Sequence, residues 1–145
     1  MAMAGAGSTY AETGKPMDAR KATGSFEVKL TPVGPAEAPI GGMTFDKVFH
    51  GDLEATSAGQ MLAVRNAANG SAGYVAMERV TGTLAGRHGA FAMQQSGSMT
   101  KDGQSLSVSV VPGSGVDGLT GLSGTMDIIV HGGKHDYIFH YTLPD

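Results

Sequence analysis

Residues 78–97 read "ERVTGTLAGRHGAFAMQQSG", and their alternation decides the fold. Val80 and Leu84 share one side of an extended chain, with Arg79, Thr81 and Thr83 on the other. That period of two is the mark of a half-buried strand. Ala85-Gly86 suits a two-residue hairpin loop. Such a loop pairs Leu84 with Arg87, Val80 with Phe91, Glu78 with Met93 and Ala76 with Gln95. One residue breaks the pattern, because Glu78 falls on the apolar face.

Working outward, the same period recurs from Ala22 onward. Phe26, Val28 and Leu30 alternate with Ser25, Glu27 and Lys29; Leu106, Val108 and Val110 alternate with Ser105, Ser107 and Ser109. Phe45, Phe49 and Leu53 alternate likewise, with Lys47 as a polar member. Gly132-Gly133 predicts a hairpin pairing Val130 with His135, Ile128 with Tyr137 and Met126 with Phe139. Asn69-Gly70, taken as another two-residue loop, pairs Ala68 with Ser71, Met61 with Glu78, Ala63 with Ala76 and Arg65 with Tyr74. Eight strands are expected, at about 22–31, 43–53, 55–66, 72–84, 87–99, 104–111, 121–131 and 134–143. Short connections make them an antiparallel meander. Closure removes the exposed edges, so the expected fold is all-β, an eight-stranded antiparallel up-and-down barrel, ahead of a two-sheet sandwich.

Composition bounds the rest. The chain has 145 residues, 23 glycines, no cysteine and a formal charge of −3. That describes one domain of many turns, with no disulfide, thiol nucleophile or thiolate metal site. Ten Lys and Arg residues give no electrostatic footprint for nucleic acid, and the apolar runs are too short for a membrane helix. Residues 1–21 are small, polar and aperiodic, without the basic start and apolar run of a signal peptide. They are expected to form an arm or tail, with the barrel domain at 22–145. Cytoplasm is the default compartment, although a cysteine-free chain also suits an oxidising one, secreted or periplasmic.

Three motifs have bland explanations. Gly113–Gly118, "GSGVDG", matches a dinucleotide fingerprint but is followed by "LTGLSG" instead of a helix. His131, His135, Asp136 and His140 crowd one region, yet on a strand His135 points away from Asp136 and His140. The latter two lie about 13 Å apart, too far for one metal ion. Asn69-Gly70-Ser71 forms a glycosylation sequon but is accounted for by the turn. No metal and no cofactor are expected.

The expected inner face carries Phe26, Val28, Phe49, Met61, Ala63, Ala76, Val80, Phe91, Met93, Leu106, Val108, Met126, Ile128, Tyr137, Phe139 and Tyr141. Its polar exceptions are Glu78, Gln95, Arg65 and Lys47, with hydroxyls at Tyr74, Tyr137 and Tyr141. A carboxyl group among apolar neighbours loses solvation, which is how such a group becomes a general acid or base near neutral pH. Glu78 is therefore the candidate acid–base residue. The competing readings are an internal ion pair of Glu78 with Lys47 or Arg65, and a solvated Glu78 on the outer face if the register is shifted by one.

The runs "FHGDLEA", "GYVAMERVTGTLAGRHGAFAMQQSGSM" and "VVPGSGVDGLTGLSGTMDI" resemble a family of small bacterial proteins of unknown function. The family pattern is F-x-G-D-L-x-G, then E-R-x-x-G-x-L-x-G-R-x-G-x-F, then V-x-P-G-S-G-T-G-x-L-x-G-L-x-G. The resemblance covers residues 24–143. Ala55 stands where that family often has Gly, Val116 where it often has Thr, and Gln95 where His is frequent. The family is similar in fold to allene oxide cyclase and the dirigent proteins, which steer reactive intermediates inside an apolar barrel without a cofactor. The resemblance thus implies the barrel and a cofactor-free cavity.

These readings combine into a barrel that binds a small apolar ligand bearing an oxygen function. Glu78 would polarise the ligand or shuttle a proton, Gln95 and Tyr137 would orient it, and Phe91, Met93 and Phe139 would shape the cavity, with Tyr141, Met61, Arg65 and Lys47 as further ligand contacts. A cofactor-independent isomerase or cyclase is the enzymatic form of this reading. A non-catalytic carrier and a filled structural barrel are its alternatives. Leu62, Val64, Val75 and Met77 gather on the outer face, which points to a homo-oligomer. Neither nucleic acid nor membrane is an expected partner.

Overall fold

A computed structural model describes residues 19–145. The strands are β1 (Arg20–Val33), β2 (Gly41–Gly51), β3 (Leu53–Asn66), β4 (Ser71–Leu84), β5 (Arg87–Thr100), β6 (Gly103–Val110), β7 (Val116–Asp117), β8 (Ser123–His131) and β9 (Lys134–Thr142). Each long strand pairs antiparallel with its neighbours, and β1 pairs with β9 to close the ring. The expected eight-stranded barrel is therefore the fold. Its thinnest seam joins β6 to β8 through the single pair Ser109–Thr125. No helix long and apolar enough to cross a membrane occurs among the described residues.

Most strand limits lie within one or two residues of expectation. Arg20 and Lys21 belong to β1, where they pair with Tyr141 and His140. Residues 1–18 of the expected arm lie outside the described residues. The two-residue β7, from the fingerprint-like loop, adds to the edge of β5 at Gly89 and Ala90. Both Ala85-Gly86 and Gly132-Gly133 hold positive φ at each position, as a type I′ turn requires. Their hairpins have the expected registers.

The β3–β4 hairpin does not. Asn66 pairs with Ser71, so the loop contains four residues, and Glu78 faces Gly59 instead of Met61. Of Asn69-Gly70, only Gly70 takes positive φ. The Asn66 Oδ1 accepts from the Ala68 amide at 3.1 Å, and Asn69 Oδ1 from the Ser71 amide at 3.1 Å. These side-chain bonds stabilise the longer loop. A slip of two residues keeps every side chain on its expected face while changing every partner.

The two halves of the interior differ. At the end carrying the β2–β3 and β4–β5 connections, the barrel is filled. Leu53, Leu84, Phe91, Phe139 and Tyr137 pack there with Leu119 and Leu122, which come from the segment between β6 and β8. Leu143 joins them, and Arg87 donates to the Pro144 carbonyl beside it. At the opposite end, with the β3–β4 and β5–β6 turns, the inward series reaches solvent. Leu106, expected inside the core, is exposed there together with Met99.

Candidate functional site

Glu78 sits at the middle of β4, opposite Met93 on β5 and Gly59 on β3. Its residue exposure is 2%, and that of Lys47 is 6%. Lys47, inward on β2, places Nζ 2.9 Å from Glu78 Oε1. Ser57 Oγ donates to Oε2 at 2.6 Å, and Gln95 Nε2 donates to Oε1. Tyr74 Oη in turn donates to Gln95 Oε1 at 3.1 Å. Glu78 thus accepts from three side chains, which is how a buried carboxylate is compensated.

The ammonium has its own enclosure. Lys47 Nζ lies 4.7 Å from the Phe26 ring centroid, 5.3 Å from that of Phe45 and 5.8 Å from that of Phe49. Faces of aromatic rings attract a cation through their quadrupole. The ion-pair reading of Glu78 is the observed one, with Lys47 as partner. Arg65 lies at the open end, exposed.

Glycines position two of the rings. Phe45 packs across Gly59 and Tyr74 across Gly97, in the cross-strand pairs Phe45–Gly59 and Tyr74–Gly97. A Cβ at Gly97 would meet Tyr74 Cε1 at 2.5 Å. Burial pushes the Tyr74 phenol above its ordinary value, and the charge of Glu78 adds to that.

Beyond Tyr74 the barrel opens into a cavity of about 500 Å³. Met61, Ala63, Tyr74, Gly97, Met99 and Leu106 form its apolar walls, and Arg65 is on its rim. Among the described residues, no carboxylate lines it. A larger groove of about 950 Å³ crosses the outer wall, where Leu62, Val75 and Met77 lie beside Gln94, Ser96 and Ser107. Outward-facing residues make up most of its lining, although Met61, Ala76, Glu78 and Gln95 also border it; the Glu78 side chain itself is fully enclosed.

Of the expected ligand contacts, Met61 and Arg65 line the cavity, while Gln95 and Lys47 belong to the Glu78 network. The structure does not bring Tyr137, Tyr141, Phe91, Met93 or Phe139 to it. These five pack in the closed half because Leu119 and Leu122 fill the space beside them. Phe91 and Phe139 stack with centroids 6.0 Å apart, and Tyr141 stacks on Phe139 at 5.2 Å. The Tyr137 hydroxyl donates to the His50 carbonyl at 2.9 Å and accepts from the Leu53 amide at 2.9 Å. It ties down the β2–β3 corner instead of orienting a ligand. Burial raises the Tyr137 pKa, the bond to Leu53 opposes this, and the charges of Asp52 and Glu54 raise it further.

Ser57 and Tyr74 belong to the Glu78 network and were absent from the expected ligand contacts. Ser57 was detectable in principle, since it falls in phase with Leu53, Ala55 and Met61 on β3. The histidines behave as surface groups: exposed His131 meets half-buried Asp136 at 2.6 Å, exposed His140 meets exposed Asp127 at 3.1 Å, and His135 stacks on Phe26.

A family model described as "Protein of unknown function (DUF3224)" matches residues 22–141. A crystal structure of a protein of unknown function from that family, from Shewanella oneidensis MR-1, is 46% identical. The match covers 88% of this chain and 100% of that one, with a TM-score of 0.81. No curated protein matches the chain.

Proposed function

The chain belongs to the DUF3224 family, and from its own barrel we propose that it binds a small, largely apolar molecule bearing an oxygen function. One observation carries this reading, the cavity of about 500 Å³ at the open end. That volume falls in the range of small-molecule sites, which are mostly apolar with a few convergent polar groups. Here those groups are Tyr74 at the inner edge and Arg65 at the rim. Among the described residues lining the cavity, Arg65 is a cation with no carboxylate beside it, which favours a ligand with negative charge on oxygen.

The same geometry favours a carrier over an acid–base catalyst. Both oxygens of Glu78 already accept hydrogen bonds, and Tyr74 and Gln95 stand between Glu78 and the cavity. The network then serves as a fixed polar floor under an apolar site.

Anilinonaphthalene sulfonate, an apolar dye with one anionic oxygen group, tests the reading. It is expected to bind the folded protein with a stoichiometry of one. Ala63→Phe, which fills the cavity, should abolish binding while unfolding remains cooperative. Absence of binding, or binding indifferent to Ala63→Phe, overturns the proposal. Met77→Lys on the outer wall controls for dye held by the exterior.

We also propose that the chain self-associates through the outer wall of β3–β6. Leu62, Val64, Val75 and Met77 are each about half exposed there. The outward positions of β3–β6 hold only Glu54 and Arg79 as full charges. The outward positions of β1, β2, β8 and β9 hold Lys21, Glu27, Lys29, Asp46, Asp127, Lys134 and Asp136. A wall with few charges beside a heavily charged one matches the depletion of charge in interface cores. A second copy presents the same wall, so pairing leaves few charges to bury.

A further inference from the structure

We propose that Tyr74 selects the ligand by the direction of its hydrogen bond: the cavity prefers an apolar molecule whose inner polar group donates, an alcohol or phenol, over an ether or ketone of the same shape. This rests on the binding role proposed above and names the chemistry that the site accepts.

The selectivity begins at the buried ion pair. The oxygens of the Glu78 carboxylate only accept hydrogen bonds, so Gln95 must turn its amide nitrogen toward them. That places the Gln95 carbonyl oxygen toward Tyr74. A carbonyl oxygen also only accepts, so the Tyr74 phenol must donate to it at 3.1 Å. The phenol has one proton, and this bond uses it. What the Tyr74 oxygen has left is lone pairs.

Reversing the chain would set the Gln95 carbonyl against the Glu78 carboxylate, acceptor against acceptor. Lys47 and Ser57 hold that carboxylate in place, so the direction is locked. The Tyr74 ring is seated on Gly97, which fixes where its oxygen lies. Burial and the Glu78 charge both keep the phenol protonated. The other side-chain donors of the lining do not replace a donor at depth: Arg65, Asn66, Ser98, Gln104 and Ser105 are exposed to water, and Ser71 donates its hydroxyl proton to Asn69. A ligand ether or carbonyl at the inner edge would meet the Tyr74 lone pairs and remain unsatisfied. A hydroxyl there makes its bond.

The test compares 2-naphthol with 2-methoxynaphthalene, which have the same ring system but only one of which donates. Each is titrated by its fluorescence with the full chain, the Tyr74→Phe variant and the Gln95→Met variant. Tyr74→Phe is expected to weaken 2-naphthol by about three- to tenfold, the size of one net hydrogen bond, and to leave 2-methoxynaphthalene unchanged. Gln95→Met releases the phenol proton, so it should shift the preference toward 2-methoxynaphthalene. The second variant keeps the test decisive if the first does not fold. Equal weakening of both probes by Tyr74→Phe, or a preference unmoved by either variant, overturns the inference and leaves a binding cavity standing. Failure of both probes to bind the unaltered chain overturns the binding proposal as well.

Discussion

Lys47 Nζ and Glu78 Oε1 lie 2.9 Å apart inside the barrel, although 31 residues separate them in the chain. They come from β2 and β4, strands that do not pair, and reach each other across the inner face of β3. Gly59 on β3 contributes no side chain to obstruct the contact. Removing either partner leaves a charge that water cannot reach. Glu78→Gln and Lys47→Met are each expected to destabilise the fold by about 3–5 kcal/mol. The double variant should lose much less than the sum of the two. Denaturant unfolding of all four proteins gives the coupling directly.

Two glycines under aromatic rings should respond differently to alanine. At Gly59 a Cβ would overlap the Phe45 ring and lie 2.6 Å from the Met77 carbonyl oxygen, which belongs to the β4 backbone. Gly59→Ala is expected to cost about 1–3 kcal/mol, as overpacking does. At Gly97 the main obstacle is the Tyr74 ring, which borders an open cavity and has room to turn. Gly97→Ala should therefore cost less in stability, while dye binding is lost because the ring occupies the cavity. Paired unfolding and dye titrations distinguish the two effects.

Stability should decline in alkali on account of Tyr74 and Tyr137. Both phenols have pKa values raised above the ordinary 10.0. Between the ordinary value and the raised one, the unfolded chain loses protons that the folded chain retains. The slope of stability against pH is then negative. Their contribution is fully present below about pH 10 and falls as pH rises through the folded values. Tyr74→Phe should flatten part of that decline. Urea unfolding at a series of alkaline pH values checks it, and a steeper decline in the variant contradicts it.

Self-association should depend on the outer wall of β3 and β4. Met77→Lys places a charge among Leu62, Val64 and Val75, and its desolvation opposes burial against another copy. Sedimentation is expected to show an oligomer for the unaltered chain at micromolar concentration and a monomer for the variant. A monomer in both cases refutes the interface.

Much of the architecture was legible in the sequence because side-chain direction along a strand depends only on odd or even position. Val80, Glu78 and Met93 were placed inward by that rule and by the Ala85-Gly86 turn. The Asn69-Gly70 turn misled by two residues. Parity cannot detect such a slip, since both registers bury the same face. The partners of β4 on β3 were therefore out of reach, and Gly59 and Ser57 entered the Glu78 site in place of Met61.

The sequence alone determined an antiparallel barrel with an inward glutamate, because period two and short glycine turns act locally and agree from strand to strand. Only the tertiary structure decided that Lys47 neutralises that glutamate and that one half of the barrel is filled while the other is open. The first depends on the register across β2, β3 and β4. The second depends on Leu119 and Leu122, which lie in the aperiodic run "LTGLSG" and find the core only when that segment folds back over the barrel end.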